Sequence, residues 1–257
     1  MVPDAAKIRE RLRKEVGRIE KRAPFTVGLA YPSPYFAAMS SLGFQQIYKL
    51  IQATPGVACE RVFLPDEPRD RKTAPRSYEG GRPLSDFPAI AFSVAYELEL
   101  GGMIEMLEAS GIPALREMRD ESYPLVIAGG PLTFSNPLPL AAFVDAVIMG
   151  EAEDVMAPVL SAIEGASGKR DAIQRLSAIE HVFVPELHGV AMPRVARFDD
   201  ASLPAHSAIC TPDTELSDMF LIETERGCSR SCTYCVMRRS TNGGVRLVKK
   251  ERLLEII

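Results

Sequence analysis

The sequence has 257 residues, of which 46% are hydrophobic and 25% charged, and its net charge at pH 7 is -4. These proportions are typical of globular proteins and exclude a largely disordered or fibrous chain. The length predicts one or two domains, and the charge argues against a protein that coats nucleic acid. Five cysteines are too few for a disulfide scaffold; three of them lie close together, which fits a metal site in a reducing compartment.

The N-terminal segment, residues 1–23, predicts an amphipathic helix over Ala5–Arg22. Its apolar residues recur at helical spacing: Ile8, Leu12, Val16 and Ile19. This charged segment lacks the apolar core of a signal peptide, and prolines interrupt the uncharged stretch of residues 123–144. We therefore expect a cytoplasmic protein with no membrane span.

Short apolar runs then alternate with helical stretches over residues 24–165. Five runs are predicted as strands: Phe25–Ala30, Val57–Leu64, Ala89–Val94, Pro124–Ala128 and Val144–Met149. Helices are predicted over Leu42–Gln52, over Leu98–Ser110 and up to about Ile163. This alternation predicts an α/β fold, a flavodoxin- or Rossmann-like parallel five-stranded sheet with helices on both faces.

Small or turn-forming residues follow the last three predicted strands. They are Ser93, Gly129, Gly130, Gly150 and Glu151. Because ligands of open parallel sheets bind at the carboxyl ends of the strands, these residues are candidates for ligand binding. Tight turns are the alternative interpretation, and the pattern alone does not identify a ligand.

Residues 166–215 are predicted to form a linker. Within it, Asp171–Ile179 predicts a short helix, while Val182–Val184 and Val190–Met192 predict a small hairpin. The stretch Phe198–Pro212 is irregular, so the boundary between two domains is placed there.

The next segment carries the cysteine cluster. A predicted strand over Phe220–Thr224 precedes Cys228, Cys232 and Cys235 in a C-x3-C-x2-C arrangement. Structural zinc needs four protein ligands, commonly in two separated pairs, and no fourth ligand is obvious here. A [4Fe-4S] cluster bound by three cysteines keeps one iron free for a small ligand with amino and carboxylate groups. The spacing therefore favours an iron–sulfur cluster over a zinc knuckle.

These residues resemble a known family. The C-x3-C-x2-C motif, with Tyr234 just before its last cysteine, resembles the signature of radical S-adenosylmethionine (SAM) enzymes. The approach Glu223-x-x-Arg226-Gly227 resembles the subgroup that carries an N-terminal cobalamin-binding domain. The resemblance implies a [4Fe-4S] cluster on the three cysteines, SAM as a second cofactor, and Tyr234 packed beside the cluster. It also implies reductive cleavage of SAM and a flavodoxin or ferredoxin as electron donor.

In that subgroup, glycines after the strands leave room for the nucleotide tail of cobalamin, and a serine contacts it. The matching residues here are Ser93, Gly129, Gly130, Gly150 and Glu151. Relatives with this fold occur with and without a corrinoid, so both alternatives stay open. Since no histidine precedes His181, the resemblance implies that this domain supplies no histidine to cobalt.

Radical SAM chemistry takes place in a complete or partial (β/α) barrel, and even a partial one needs on the order of 200 residues. Only 22 residues follow Cys235, so residues 216–257 are expected to hold the first strand, loop and helix of that barrel. We therefore expect an active enzyme as a longer protein and no SAM turnover by these residues alone.

Two alternatives remain: a corrinoid- or ligand-binding module without catalysis, and a zinc-stabilised RNA-binding protein. The second is suggested by basic residues between Arg226 and Arg252, for which a solvated surface is the preferred interpretation, so nucleic acid is not favoured. The remaining thiols and imidazoles are predicted to be ordinary core, loop or surface groups: Cys59, Cys210, His181, His188 and His206.

Overall fold

The computed structural model describes residues 5–200, 203–230, 232–235 and 244–257. Its main sheet has six strands in the order β2-β1-β3-β4-β5-β6. They are β1 (Phe25–Tyr31), β2 (Val57–Phe63), β3 (Ala89–Ser93), β4 (Leu125–Gly129), β5 (Ala146–Ile148) and β6 (Val182–Phe183). Neighbouring strands among the first five are parallel, whereas β6 is antiparallel to β5. The α/β class is confirmed, and the sheet has one strand more than the five predicted.

Side chains of the strands alternate between two apolar cores, as the pleat requires. Along β3, Ala89 and Ala91 face the first core, and Ile90 and Phe92 face the second. The first core is covered by α2 (Tyr35–Met39), α3 (Leu42–Ala53), α6 (Met156–Glu164) and α7 (Lys169–Ser177). The second is covered by α4 (Glu99–Ala109) and α5 (Leu138–Ala141), which confirms helices on both faces. None of the helices among the described residues has the length and apolar character needed to cross a membrane.

The N-terminal helix α1 covers Ala5–Lys14, so the helix predicted over residues 5–22 is too long. Its apolar side packs against the first core, but Val16 lies beyond its end and is 72% exposed. The chain leaves the helix before Gly17, whose φ of +90° is not helical, and Val16 forms two backbone hydrogen bonds with Cys210, each 2.9 Å long. The Glu15 carboxylate, just beyond the helix, is buried against Arg61, with each oxygen 2.8 Å from a guanidinium nitrogen.

The sheet domain extends into the predicted linker. Helix α7 packs into the first core, and Phe183 of β6 pairs with Val147 of β5, so residues 166–184 belong to the sheet domain. The predicted hairpin is wrong. A short helix, α8 (Pro185–His188), follows β6 directly, and Val190 is exposed outside any strand.

The C-terminal segment contains a second, two-stranded sheet. The strand predicted over Phe220–Thr224 is not formed; instead β7 (Glu225–Arg226) pairs antiparallel with β8 (Arg246–Leu247). Helix α9 (Lys250–Ile256) follows, in agreement with the predicted helix. In the C-terminal segment, the described residues form no parallel strand pair of the kind expected for a barrel.

Candidate functional site

A cavity of about 410 Å³ lies at the carboxyl ends of β3, β4 and β5, on the side of the first core. Ser93 ends β3 directly opposite Gly129 at the end of β4. Gly130, Gly150 and Glu151 line the same cavity. The structure thus brings together all five residues that the sequence singled out after the strands, as expected for the carboxyl edge of a parallel sheet.

The three glycines shape this cavity in two different ways. Gly130 has φ +118°, and a Cβ there would lie 2.5 Å from the carbonyl oxygen of Val94. Gly150 has φ +90°, and a Cβ there would lie 2.6 Å from a backbone oxygen. Both turns therefore require glycine. At Gly129 a Cβ would make only ordinary contact with Ile148, at 3.5 Å, so a small side chain fits there without a clash.

The rest of the lining is mainly apolar, with few polar groups. Apolar side chains that line the cavity include Leu29, Leu42, Ile47, Ala91, Ile127 and Met156. Among the described residues, the Ser93 hydroxyl has no hydrogen-bond partner, and the buried Oε1 of Gln46 has none either. The cavity therefore offers an apolar space with few polar groups, one of which is the unpartnered hydroxyl of Ser93, as is typical of cofactor sites.

One wall of the cavity is charged, and Arg226 is its centre. The Arg226 guanidinium lies 2.8 Å from Glu153, 2.7 Å from Glu223 and 3.2 Å from Glu151. Burial by itself lowers the pKa of this group, but the hydrogen bonds and charges of Glu223 and Glu153 outweigh that effect and raise the pKa of Arg226. Arg226 is therefore a permanent cation that joins the sheet to the segment leading to Cys228.

Glu151 is shared between this wall and β8. Its side chain also contacts Arg246 Nη2, and its Oε2 accepts the backbone N–H of Phe198 at 2.8 Å. Arg246 in turn donates to the carbonyl oxygen of Phe198 at 2.7 Å and contacts Asp200 at 3.0 Å. Within the structure the Glu151 carboxylate is thus occupied by ion pairs, whereas the sequence predicted a direct cofactor contact.

The three cysteines follow β7 on one short loop, and all three are partly exposed. The sulfur of Cys228 accepts the backbone N–H of Arg230 at 3.4 Å, and the N–H of Cys235 donates to the carbonyl oxygen of Cys232 at 3.3 Å. Across the described residues, no three His, Cys, Asp or Glu side chains converge closely enough to hold a metal ion. By its chemistry this donor set, three thiols without a fourth ligand, fits a [4Fe-4S] cluster, although the sulfurs are not in coordination geometry.

Tyr234 does not pack beside the cysteines as the resemblance implied, because its side chain is 91% exposed. Cys59 is confirmed as a core thiol: it is buried in the first core, and burial raises the pKa of its thiol. Arg238 and Arg239, which the sequence grouped with the basic surface, lie outside the described residues.

Residues 43–185 match the model of a family described as radical SAM proteins, N-terminal. The matched region is more than half of the chain and runs from α3 to α8. The chain belongs to this family of radical SAM proteins. Since the match ends well before Cys228, family membership rests on the sheet domain and its cavity, independently of the cysteine motif.

Among curated proteins, an uncharacterized protein of Methanocaldococcus jannaschii is 28% identical to this radical SAM family member over 223 residues. The alignment covers 82% of this chain and 41% of that protein. The chain therefore spans about two fifths of the length of this relative. No solved structure matches the chain.

The charged wall is the part of the site that sequence analysis missed. Arg226 and Arg246 were assigned to a solvated basic surface, but their side chains are only 15% and 3% exposed. The spacing of three residues between Glu223 and Arg226 is a local signal for one of these pairs. The pairing of both arginines with Glu151 has no local signal, because it joins segments far apart in sequence.

Proposed function

We propose that this chain is the cofactor-binding N-terminal part of a radical SAM enzyme. In it, Cys228, Cys232 and Cys235 bind a [4Fe-4S] cluster next to a ligand cavity at the edge of the sheet. The observation that carries the proposal is that Arg226, two residues before Cys228, lines this cavity. Free thiols of this kind require a reducing compartment, which favours the cytoplasm.

When bound, the cluster supplies the electron that cleaves SAM to methionine and a 5′-deoxyadenosyl radical. The chain's own contribution is three thiolates, which leave one iron free for the amino and carboxylate groups of SAM. Hydrogen bonds to cluster sulfurs tune reduction potentials, and the N–H of Arg230 already donates to Cys228. A flavodoxin or ferredoxin is the class of partner that delivers such an electron.

For the cavity, we propose the nucleotide tail of a corrinoid as the ligand. Three features support this choice: the size and apolar character of the cavity, the lack of a side chain at Gly129, which lines it, and the unpartnered hydroxyl of Ser93. No histidine lines the cavity, so the described residues around it offer the cobalt no imidazole ligand. Because the same features suit a ligand-binding module without catalysis, that function is the second candidate.

The cluster is tested by anaerobic reconstitution with iron and sulfide. We expect about four irons and four sulfides per chain and a broad absorbance near ~400 nm. Cys232→Ser should lose this signal, whereas Cys210→Ser, a matched change at a cysteine outside the motif, should keep it. Stoichiometric zinc without sulfide in the wild-type chain would exclude the cluster.

The corrinoid is tested by gel filtration of the chain with hydroxocobalamin. Gly129→Val adds a branched side chain to the cavity lining and should abolish co-elution. Gly101→Val is the matched control, since a Cβ at Gly101 meets nothing within 4 Å and this helix does not line the cavity. If the wild-type chain carries no corrinoid through the column, the corrinoid is excluded while the cluster proposal stands.

A further inference from the structure

Both ends of the cysteine-bearing loop contact the same carboxylate. Arg226 of β7 and Arg246 of β8 are direct partners in the antiparallel register. Arg226 Nη1 lies 3.2 Å from Oε2 of Glu151, and Arg246 Nη2 contacts Oε1 of the same side chain. Glu151 therefore closes a loop that starts at Arg226, ends at Arg246 and contains all three cysteines.

Glu151 is itself fixed to the main sheet. It follows Gly150, whose positive φ turns the chain at the end of β5, and its backbone N–H donates to Ala196 at 3.2 Å. Its Oε2 also accepts the N–H of Phe198, and its side chain is only 6% exposed. Because these contacts leave the Glu151 carboxylate little freedom to move, its charged hydrogen bonds hold Arg226 and Arg246 against the cavity wall.

We propose that Glu151 is a positioning residue that anchors both ends of the cysteine loop to the cavity wall. Since Glu151 lines the cavity as well, a ligand bound there holds this wall in place and thereby stabilises the pairing of β7 with β8. By thermodynamic linkage, the anchored loop must then favour the ligand by the same factor. The anchoring of the cysteine loop by Glu151 follows from the contacts given above. Its effect on a bound cluster rests on the proposed function.

The chosen variant is Glu151→Gln, which removes the charge and keeps the size. It is expected to fold, because Arg226 keeps Glu153 and Glu223, and Arg246 keeps Asp200. Glu186→Gln is the matched control, because Glu186 forms an exposed pair 3.7 Å from Arg116, outside the cavity.

The readout is hydrogen–deuterium exchange of the backbone amides of β7 and β8 in the chain without added metal. Glu151→Gln should raise their exchange rates about tenfold, the factor expected for the loss of one charged hydrogen bond. Amides of β1 to β4 should not change, and neither should any amide in Glu186→Gln. Unchanged exchange in β7 and β8 of Glu151→Gln, with the core intact, would overturn the proposal.

Two further measurements separate the causes of failure. Saturating hydroxocobalamin should slow exchange in β7 and β8 of the wild-type chain and have no such effect in Glu151→Gln. If the core amides of Glu151→Gln also exchange fast, Arg246→Lys is used in place of that variant. Faster exchange confined to β7 and β8 in Arg246→Lys supports the anchoring role of Glu151. Unchanged exchange in β7 and β8 overturns that role. If the wild-type chain takes up no iron and sulfide, the proposed cluster-binding function is excluded. The anchoring role of Glu151 is still decided by the exchange rates in β7 and β8.

Discussion

Two arginines in this molecule, Arg61 and Arg226, are each held by carboxylates that include residues from distant parts of the chain. Arg61 on β2 is fully buried, 2.8 Å from Glu15 and 2.6 Å from Glu79, and its guanidinium lies over the ring of Tyr48. Arg226 is held by three carboxylates and is 15% exposed. Only Arg226 lines the cavity.

The comparison separates two uses of the same chemistry. Around Arg61, removal of the cation leaves the interior carboxylate of Glu15 and the largely buried one of Glu79 without their closest counter-charge, which is among the most costly changes in a protein interior. At the cavity wall, Arg226 and Arg246 each keep other partners when Glu151 is neutralised, so the expected result is local loosening. Both arginines form ion pairs, so the ion pairs alone do not distinguish their roles. Arg61 lies away from the cavity and has a structural role, whereas Arg226 lines the cavity and positions its wall.

The largest expected effect is that of Arg61→Ala. It should lower the free energy of unfolding by about 3–5 kcal/mol, because Glu15 loses both guanidinium hydrogen bonds and Glu79 loses one, while both carboxylates stay largely shielded from water. Arg71→Ala is the matched control, since Arg71 pairs with Glu105 at 3.4 Å on the surface, and should cost less than about 1 kcal/mol. Urea unfolding measures both, and similar losses in the two variants would remove the structural role given to Arg61.

An intermediate effect is expected at Gly130, where a backbone turn forms part of the cavity wall. Gly130→Ala should destabilise the chain by about 1–3 kcal/mol, because alanine is strained at φ +118° and its Cβ meets the carbonyl oxygen of Val94. Gly129→Ala, one residue earlier, should cost less than about 1 kcal/mol, since its Cβ makes ordinary contact. Equal midpoints in urea for the two variants would contradict this difference.

The smallest expected effect concerns an ion pair at the margin of the Arg61 region. Asp66 lies 2.5 Å from Lys7 and 2.8 Å from Arg11 of α1. Burial raises the pKa of Asp66, but hydrogen bonds from Lys7 and Arg11 outweigh it, so the pKa of Asp66 is lowered. Its stabilising contribution is therefore present above the unfolded-state pKa of ~4 and is lost as the pH falls through the lower folded-state pKa.

Asp66→Asn should consequently lower the free energy of unfolding by at most about 1 kcal/mol at neutral pH. The difference from the wild-type chain should shrink steadily below about pH 4. Urea unfolding of both proteins across this range checks the sign, and a difference that stays constant down to about pH 2 would show that the carboxylate charge is not its source.

The features that were predictable from the sequence have local signals. The first five strands are short, mainly apolar runs, and the residues after three of them meet because carboxyl ends of parallel strands share one edge. The strand predicted over Val182–Val184 forms as β6, but its partner is β5 and not Val190–Met192, because a run of two or three residues does not indicate which strand it pairs with. Beyond the end of α1, Val16 pairs with Cys210, which is distant in sequence, so helical spacing alone overestimated the length of the helix.

The charged wall could not be predicted for the same reason, because its contacts join residues that are far apart in the sequence. Nothing near Glu151 in the sequence indicates that Arg226 and Arg246 bind it, so both were taken for surface residues. The cysteine motif was visible because its spacing is local. The exposed side chain of Tyr234 shows that a motif fixes residue types and spacing more firmly than it fixes packing.

The most direct test of whether the cavity and the cysteine loop form one site is the rate at which the reconstituted chain loses iron to a chelator, with and without saturating hydroxocobalamin. If the cavity ligand stabilises the wall that Glu151 shares with the loop, corrinoid should slow iron loss in the wild-type chain and leave it unchanged in Gly129→Val. Equal rates with and without corrinoid, in a wild-type chain shown to carry both iron and corrinoid, would contradict the coupling.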